Sequence, residues 1–257
     1  NREDPPILTD NSDDNNRADP NLIKILPDNP YQSYDMKDII KSIVDNGTFF
    51  EVHELFAENI VVGFARMGGR SVGIIANQPL FLAGALDIHS SNKAARFVRF
   101  CDSFNIPIVT LVDTPGYLPG TDQEHNGIIR HGSKLLFAYC EATVPKITCI
   151  IGKAYGGAYI AMGSKNLGTD LNIAWPTAEI AVLGPEAAIT IIHRKSLKDL
   201  PDAATKKKNL AKEYRNKFAN PYIAAERGTI DLVIDPMESR STIINALSAL
   251  SNKKENR

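Results

Sequence analysis

Short runs of consecutive apolar residues, separated by segments of helical spacing, organise the middle of this chain. Residues 60–66 and 70–76 are runs of the kind that fill a buried strand, and Met67-Gly68-Gly69 between them has the composition of a hairpin turn. Ala94, Ala95, Phe97, Val98, Cys101 and Phe104 recur at three- and four-residue spacing, which predicts a helix capped by Ser90 or Ser91. A buried strand is expected over 106–112, a Pro- and Gly-rich loop over 113–126, a helix over 128–142 and another strand over 146–151. Ahead of them, Asp35 is placed to cap a short helix through Val44, with Ile39, Ile40, Ile43 and Val44 on its inner face. Three helical segments follow the stretch from Trp175 to Gly184, and the second holds Lys206, Lys207 and Lys208, read as a solvated face. The alternation of strand and helix predicts an α/β layered fold.

Residues 1–34 break this pattern. They carry Asp4, Asp10, Asp13, Asp14, Asp19 and Asp28 and prolines 5, 6, 20, 27 and 30, with little apolar periodicity, and read as a linker ahead of a domain spanning 35–257. The start at Asn1, without Met or a signal peptide, suggests a piece of a longer protein. Charge is balanced, with 29 basic against 30 acidic residues and a net of -1, so a nucleic-acid partner is not expected. No apolar run approaches the roughly 20 residues that span a bilayer, so direct membrane insertion is not expected. Cys101, Cys140 and Cys149 are widely spaced inside apolar segments and read as small buried hydrophobes in a reducing compartment. His53, His89, His125, His131 and His193 show no metal-ligand spacing, and no metal is expected.

The chemistry concentrates at 153–162, Lys-Ala-Tyr-Gly-Gly-Ala-Tyr-Ile-Ala-Met, which follows the strand at 146–151 and can start a helix. Two glycines and an alanine at a strand-to-helix turn leave backbone N–H groups uncovered, and the positive end of the helix dipole adds to their field. Such a turn can stabilise an oxyanion. The same Gly-Gly pair also suits a tight turn or close helix-to-sheet packing, and spacing alone leaves both readings open.

Further motifs carry a family resemblance. They are Tyr34-Asp35-Met36-Lys37-Asp38, Asn59 through Arg66, Ala95 through Asp102, Pro115-Gly116-Tyr117-Leu118-Pro119-Gly120, Gly127 through Gly132, Ala154 through Tyr159, Ala174 through Val182, and Phe218-Ala219-Asn220-Pro221. In these the chain resembles the C-terminal half of the carboxyltransferase (β) subunit of biotin-dependent acyl-CoA carboxylases, propionyl-CoA carboxylase type, from the Pro-rich segment to about residue 250. The resemblance implies an α/β crotonase-like (ClpP/crotonase) fold, a spiral of β-β-α units. It implies transfer of a carboxyl group from carboxybiotin on a carrier protein to the α-carbon of a short-chain acyl-CoA, propionyl- or acetyl-CoA. Biotin itself can serve as the base, so the protein supplies position and fixed dipoles rather than a proton-shuttling side chain.

By the same resemblance, the backbone N–H groups of Gly157 and Ala158 bind the biotin ureido oxygen, with Gly156 supplying the turn. The loop that holds Gly116, Tyr117 and Leu118 follows a strand end and is read as one wall of the biotin pocket, or else as a rigid surface turn; Tyr155 and Tyr159 either line the slot or pack the helix, and Ile160 is read as shaping the acyl pocket. Asp113 is read as tying down its own loop through backbone amides, Arg130 and His131 as helix-end packing, and Glu179 as a structural carboxylate. The implied partners are biotin carboxyl carrier protein or a biotin carboxylase subunit, an acyl-CoA held by the absent N-terminal half, and further copies of the subunit in a trimer or hexamer. The implied location is the bacterial cytoplasm or the mitochondrial matrix, and the piece alone is expected to be inactive. Biotin-dependent decarboxylases and transcarboxylases use similar subunits and remain alternatives. A stand-alone crotonase-type hydratase would need two carboxylates, and Tyr159 stands where one would sit. A serine peptidase is disfavoured because Ser133 and Ser164 lack a nucleophile elbow. A non-catalytic biotin-docking and assembly module is the remaining reading of the piece.

Overall fold

The structure, a computed structural model, describes residues 4–27, 29, 32–194 and 202–253. Among them eight strands form one sheet in the order β1 (Phe49–Glu51), β2 (Ile60–Met67), β3 (Arg70–Asn77), β4 (Ile108–Thr114), β5 (Lys146–Tyr155), β6 (Leu171–Ala174) and β8 (Leu232–Val233), while β7 (Glu179–Ala181) also pairs with β5. The first three strands are antiparallel and the rest parallel. The expected hairpin closes β2 on β3, with Gly68 and Gly69 at φ +59° and +77°, as a tight two-residue turn requires.

Alternation along the strands separates two cores. Ile108, Val112, Ile150 and Ala154 point to one face, where α3 (Ile88–Ser103), α5 (Ile128–Glu141) and α6 (Gly156–Ala161) pack. Val109, Leu111, Ile147, Cys149 and Ile151 point to the other, against α1 (Leu22–Ile25), α2 (Met36–Ile43) and α10 (Ser239–Ala249). The chain between β7 and β8 forms α7 (Pro185–Ile192), α8 (Ala203–Phe218) and α9 (Pro221–Glu226).

Several expectations shift. Asp35 caps α2 through the Lys37 N–H as expected. The cap of α3, however, is Asp87, which accepts from the Ser90 N–H while the Ser90 hydroxyl accepts from the Asp87 N–H. Ser90 is thus the third residue of a capping box. Strand β4 begins after Pro107, which has no N–H for a ladder, and the loop after it contains a short helix, α4 (Thr121–His125). Strand β5 continues past Ile151 to Tyr155 because β7 supplies it with a second neighbour. Cys101 and Cys149 are buried free thiols, but Cys140 faces solvent on α5. The segment read as a linker is fastened to the body over its described residues. The Thr9 N–H donates to Gly69 O, the Arg17 guanidinium to Ser42 O and Val44 O, and Leu22 is buried. Buried Arg240 of α10 adds bonds to Asp14 O, Ile43 O and Asp45 Oδ1.

Candidate active site

Three parallel strands, β3, β4 and β5, deliver their carboxyl ends to one edge of the sheet, where open α/β sheets place ligands. The loops after β3 and β4 are zipped together there. The Leu86 N–H donates to Gly116 O at 3.0 Å and the Leu118 N–H to Leu86 O at 2.7 Å. This register sends the Tyr117 ring inward against α5, where a Cβ on Gly132 would stand 2.8–2.9 Å from the ring and its hydroxyl. Tyr117 is half-buried, its hydroxyl points at Gly132 O at 3.4 Å, and burial pushes its pKa up to about 12.

The far side of that ring faces the glycine turn. Tyr155, at the N-cap of α6, is extended, and the next residue, Gly156, has φ +58°. A side chain there would cost about 1–2 kcal/mol in backbone strain, and its Cβ would also stand 3.1 Å from Val182 O. Gly157 is exposed, and among the described residues outside its own helix a Cβ built on it meets only the Tyr117 ring, at 3.8 Å. Gly157 and Ala158 belong to the first turn of α6, whose N–H groups have no intrahelical carbonyl to pair with. Ala158 is buried beneath the turn, while Ile160, 37% exposed, lies three residues beyond Gly157 on the same helix face. The exposed Gly157 backbone, an open face and an aromatic wall together make a cradle for a flat polar group bearing a partly negative oxygen, with the Ala158 amide on a buried residue beneath it.

Behind the turn the side chains lock into the body. The Tyr155 hydroxyl donates to Glu179 Oε2, and burial and the Glu179 charge raise its pKa well above the ordinary tyrosine value. Glu179 Oε1 accepts from Arg215 Nε of α8 at 2.8 Å, and Arg215 Nη2 reaches Glu186 Oε1 of α7 at 3.2 Å. Tyr159 turns into the core beneath α6, and burial pushes its pKa up to about 12. Asp113 sits where the β4–β5 register slips, between Val112↔Ile150 and Thr114↔Ala154. Its carboxylate fills that gap, accepting from the Lys153 N–H at 2.8 Å and from the Tyr34 hydroxyl at 2.8 Å. Burial raises its pKa against those two donors. Asp113 therefore ties two strand ends and a remote tyrosine rather than its own loop, because the slipped register leaves an amide of β5 facing it.

Of the residues expected at the site, the structure brings Gly156, Gly157, Ala158, Gly116, Tyr117 and Ile160 to one edge, with Leu118 held beside Tyr117 by its backbone. Tyr155 and Tyr159 stand behind that edge, the first bonded to Glu179 and the second packed against the core. Glu179 is engaged on both oxygens, as a structural carboxylate should be. His131 shares its Nδ1 with Asn92 of α3 and Lys134, a helix-to-helix tie. A separate cavity of about 1010 Å³ opens beyond the Asp113 and Lys153 strand tips, lined in part by Tyr34, Glu179, Arg215, Lys208 and Lys212. Lys208 thus borders a cavity as well as solvent. Arg215 and Glu186 had no signal in the sequence, and Tyr34 entered only as part of a motif with no role attached, since each meets its partner across 29 residues or more.

A carboxyl transferase domain model matches residues 1–257 of this chain. The chain belongs to the carboxyl transferase family. Relatives include the carboxyltransferase subunit of propionyl-CoA carboxylase from Haloferax mediterranei, 56% identical over 99% of this chain and 49% of that protein. The methylmalonyl-CoA decarboxylase subunit alpha of Veillonella parvula is also 56% identical, over 100% of this chain and 49% of its own length. Among solved structures, the transcarboxylase 12S hexamer with methylmalonyl-coenzyme A and methylmalonic acid bound superposes with a TM-score of 0.93 at 49% identity, over 100% of this chain and 49% of that one. The chain spans about half the length of the curated relatives it matches. With these neighbours the α/β fold of this carboxyl transferase domain is the crotonase-like one that the motifs implied. Among the described residues no helix is long and apolar enough to cross a membrane.

Proposed function

We propose that this chain is the biotin-side half of a carboxyl transferase that moves a carboxyl group between biotin on a carrier protein and the α-carbon of a short-chain acyl-CoA, propionyl- or acetyl-CoA. The observation that carries the reading is the exposed Gly157 in the first turn of α6, where among the described residues a built Cβ meets the Tyr117 ring at 3.8 Å and nothing closer. Bound biotin would supply a ureido group that carries the transferable carboxyl. Gly157 and Ala158 would donate their N–H groups to its oxygen, Tyr117 and Leu118 would flank its ring system, and Ile160 would border the acyl group. Donors fixed in place before charge develops need no reorganisation as it appears, which is the electrostatic contribution asked of this half. The fully engaged Glu179 and Asp113 argue against a hydratase, which needs free carboxylates for acid–base work.

The acyl-CoA is assigned to the remaining half of the full-length protein, and the working form to a homo-oligomer, trimer or hexamer, in cytoplasm or matrix. Exposed apolar side chains, Val182 at 81% beside the turn and Ile191 at 64% on α7, favour such association. The decarboxylase among the relatives favours a second reading, in which the same half runs the reaction from methylmalonyl-CoA towards biotin. Both readings are tested by giving the full-length protein methylmalonyl-CoA labelled in its free carboxyl together with free biotin. Label should appear on biotin with the full-length protein and not with this chain alone. No transfer by the full-length protein refutes the proposal.

A further inference from the structure

The glycine turn cannot aim its own donors. Gly156, Gly157 and Ala158 have no polar side chain, and α6 has no side-chain cap. The nearest anchored side chain is that of Tyr155, immediately before the turn. Its ring packs on Gly184, where a Cβ would stand 3.1 Å away, and its hydroxyl donates to Glu179. Glu179 opens β7, which holds the end of β5 in the register Lys153↔Glu179 and Tyr155↔Ala181. One carboxylate oxygen faces Tyr155 and the other faces Arg215, so the rotamer of Glu179 is fixed from both sides. Arg215 in turn spans two carboxylates with one guanidinium, Glu179 through Nε and Glu186 through Nη2. That fork geometry is available to arginine and not to lysine. With the guanidinium removed, Glu179 and Glu186 would lose the cation they share, and Glu179 would be drawn towards water and away from Tyr155.

We propose that Arg215 is a positioning residue for carboxyl transfer: by holding Glu179 against the Tyr155 hydroxyl it fixes the strand end from which Gly157 and Ala158 project. This rests on the function proposed above. A plain structural tie between α8, α7 and β7 would affect stability but not the aim of the amides, and the two roles separate experimentally. Tyr155→Phe, Arg215→Met, Arg215→Lys and the Tyr155→Phe/Arg215→Met pair are made in the full-length protein. For each, kcat and KM for acyl-CoA, the melting temperature, and amide hydrogen exchange over residues 153–162 are measured. Misplacing a reacting group by about 1 Å costs up to roughly 10²-fold. Tyr155→Phe and Arg215→Met should each lower kcat by about tenfold or more while leaving KM for acyl-CoA within about twofold. Exchange over 153–162 should quicken in both. Their combination should be no worse than the poorer single variant, because both cut one chain of contacts. Arg215→Lys should recover part of kcat.

A Tyr155→Phe enzyme with wild-type kcat and wild-type exchange overturns the proposal, as does full additivity in the pair. If Arg215→Met does not fold, Tyr155→Phe decides alone, since it removes one oxygen from an otherwise retained ring. Gly157→Val tells this proposal apart from the one beneath it. An active Gly157→Val enzyme removes the site reading itself. An inactive Gly157→Val beside a fully active Tyr155→Phe removes only the role of Arg215.

Discussion

Gly157→Val is the sharpest perturbation this site offers, because it separates function from folding. The backbone at 157 is ordinary helical geometry outside the left-handed region, so an L side chain is not strained there. Its Cβ would lie 3.8 Å from Tyr117 Cδ2 and Cε2, a normal van der Waals distance. Valine in a helix is if anything favoured over glycine by a few tenths of a kcal/mol. The melting temperature should therefore stay within about 2–4 °C of wild type, the shift that 1 kcal/mol produces in a domain of this size. The side chain would nevertheless occupy the open space between the Tyr117 ring and the amides. Removing access to one preorganised donor costs about 10²–10³ in rate, or roughly 2.7–4 kcal/mol of transition-state stabilisation. The assay is carboxyl transfer by the full-length protein, with Gly157→Ala as an intermediate step and Gly156→Ala as the reverse control. Gly156→Ala should lose about 1–2 kcal/mol of stability from its φ of +58°. A Gly157→Val protein that folds and turns over within about threefold of wild type, a change well under 1.4 kcal/mol, would refute the assignment of these amides.

Asp113→Ala leaves the Lys153 N–H and the Tyr34 hydroxyl without their acceptor, at about 1–3 kcal/mol each, so urea unfolding should show a loss of about 2–6 kcal/mol. A loss below about 1 kcal/mol would mean that the strand ends are held by something else. Asp13, whose pKa is lowered to about 2 chiefly by its hydrogen bond from Arg17, should stabilise the segment 11–17 above about pH 4, and that contribution should fade as pH falls through about 2. The sign follows because the unfolded chain takes up the proton first. Asp13→Asn should flatten stability across that window relative to wild type, and identical pH profiles for the two proteins would contradict the pairing.

What the sequence disclosed was local. The Met67-Gly68-Gly69 hairpin, the Asp35 cap and the glycine turn each depend on residues within a few positions of one another, so pattern and turn chemistry were enough to find them. The Asp87 cap was hidden because Ser90 and Ser91 are equally good capping types, and only geometry shows that Ser90 returns the bond. Helix α4 has no buried face, so it leaves no apolar period to read. The partners of Asp113, at positions 34 and 153, depend on a register slip between two parallel strands that no local pattern encodes. Arg215 lies in a helix dense with lysines, where one more basic residue carries no mark of its own.

The slip in register at Asp113 has a mechanical consequence. Before it, β5 leans on β6 through residues 147–150; beyond it, the same strand changes hands and leans on β7 through residues 153–155. The strand end before the turn is therefore aligned from the β7 side, while the far end of α6 is tied to the β6 flank through Gly163 O, which accepts from Thr148, Thr169 and Asn172. A single residue inserted at 176–178, between β6 and β7, should swing the amides of the turn out of true.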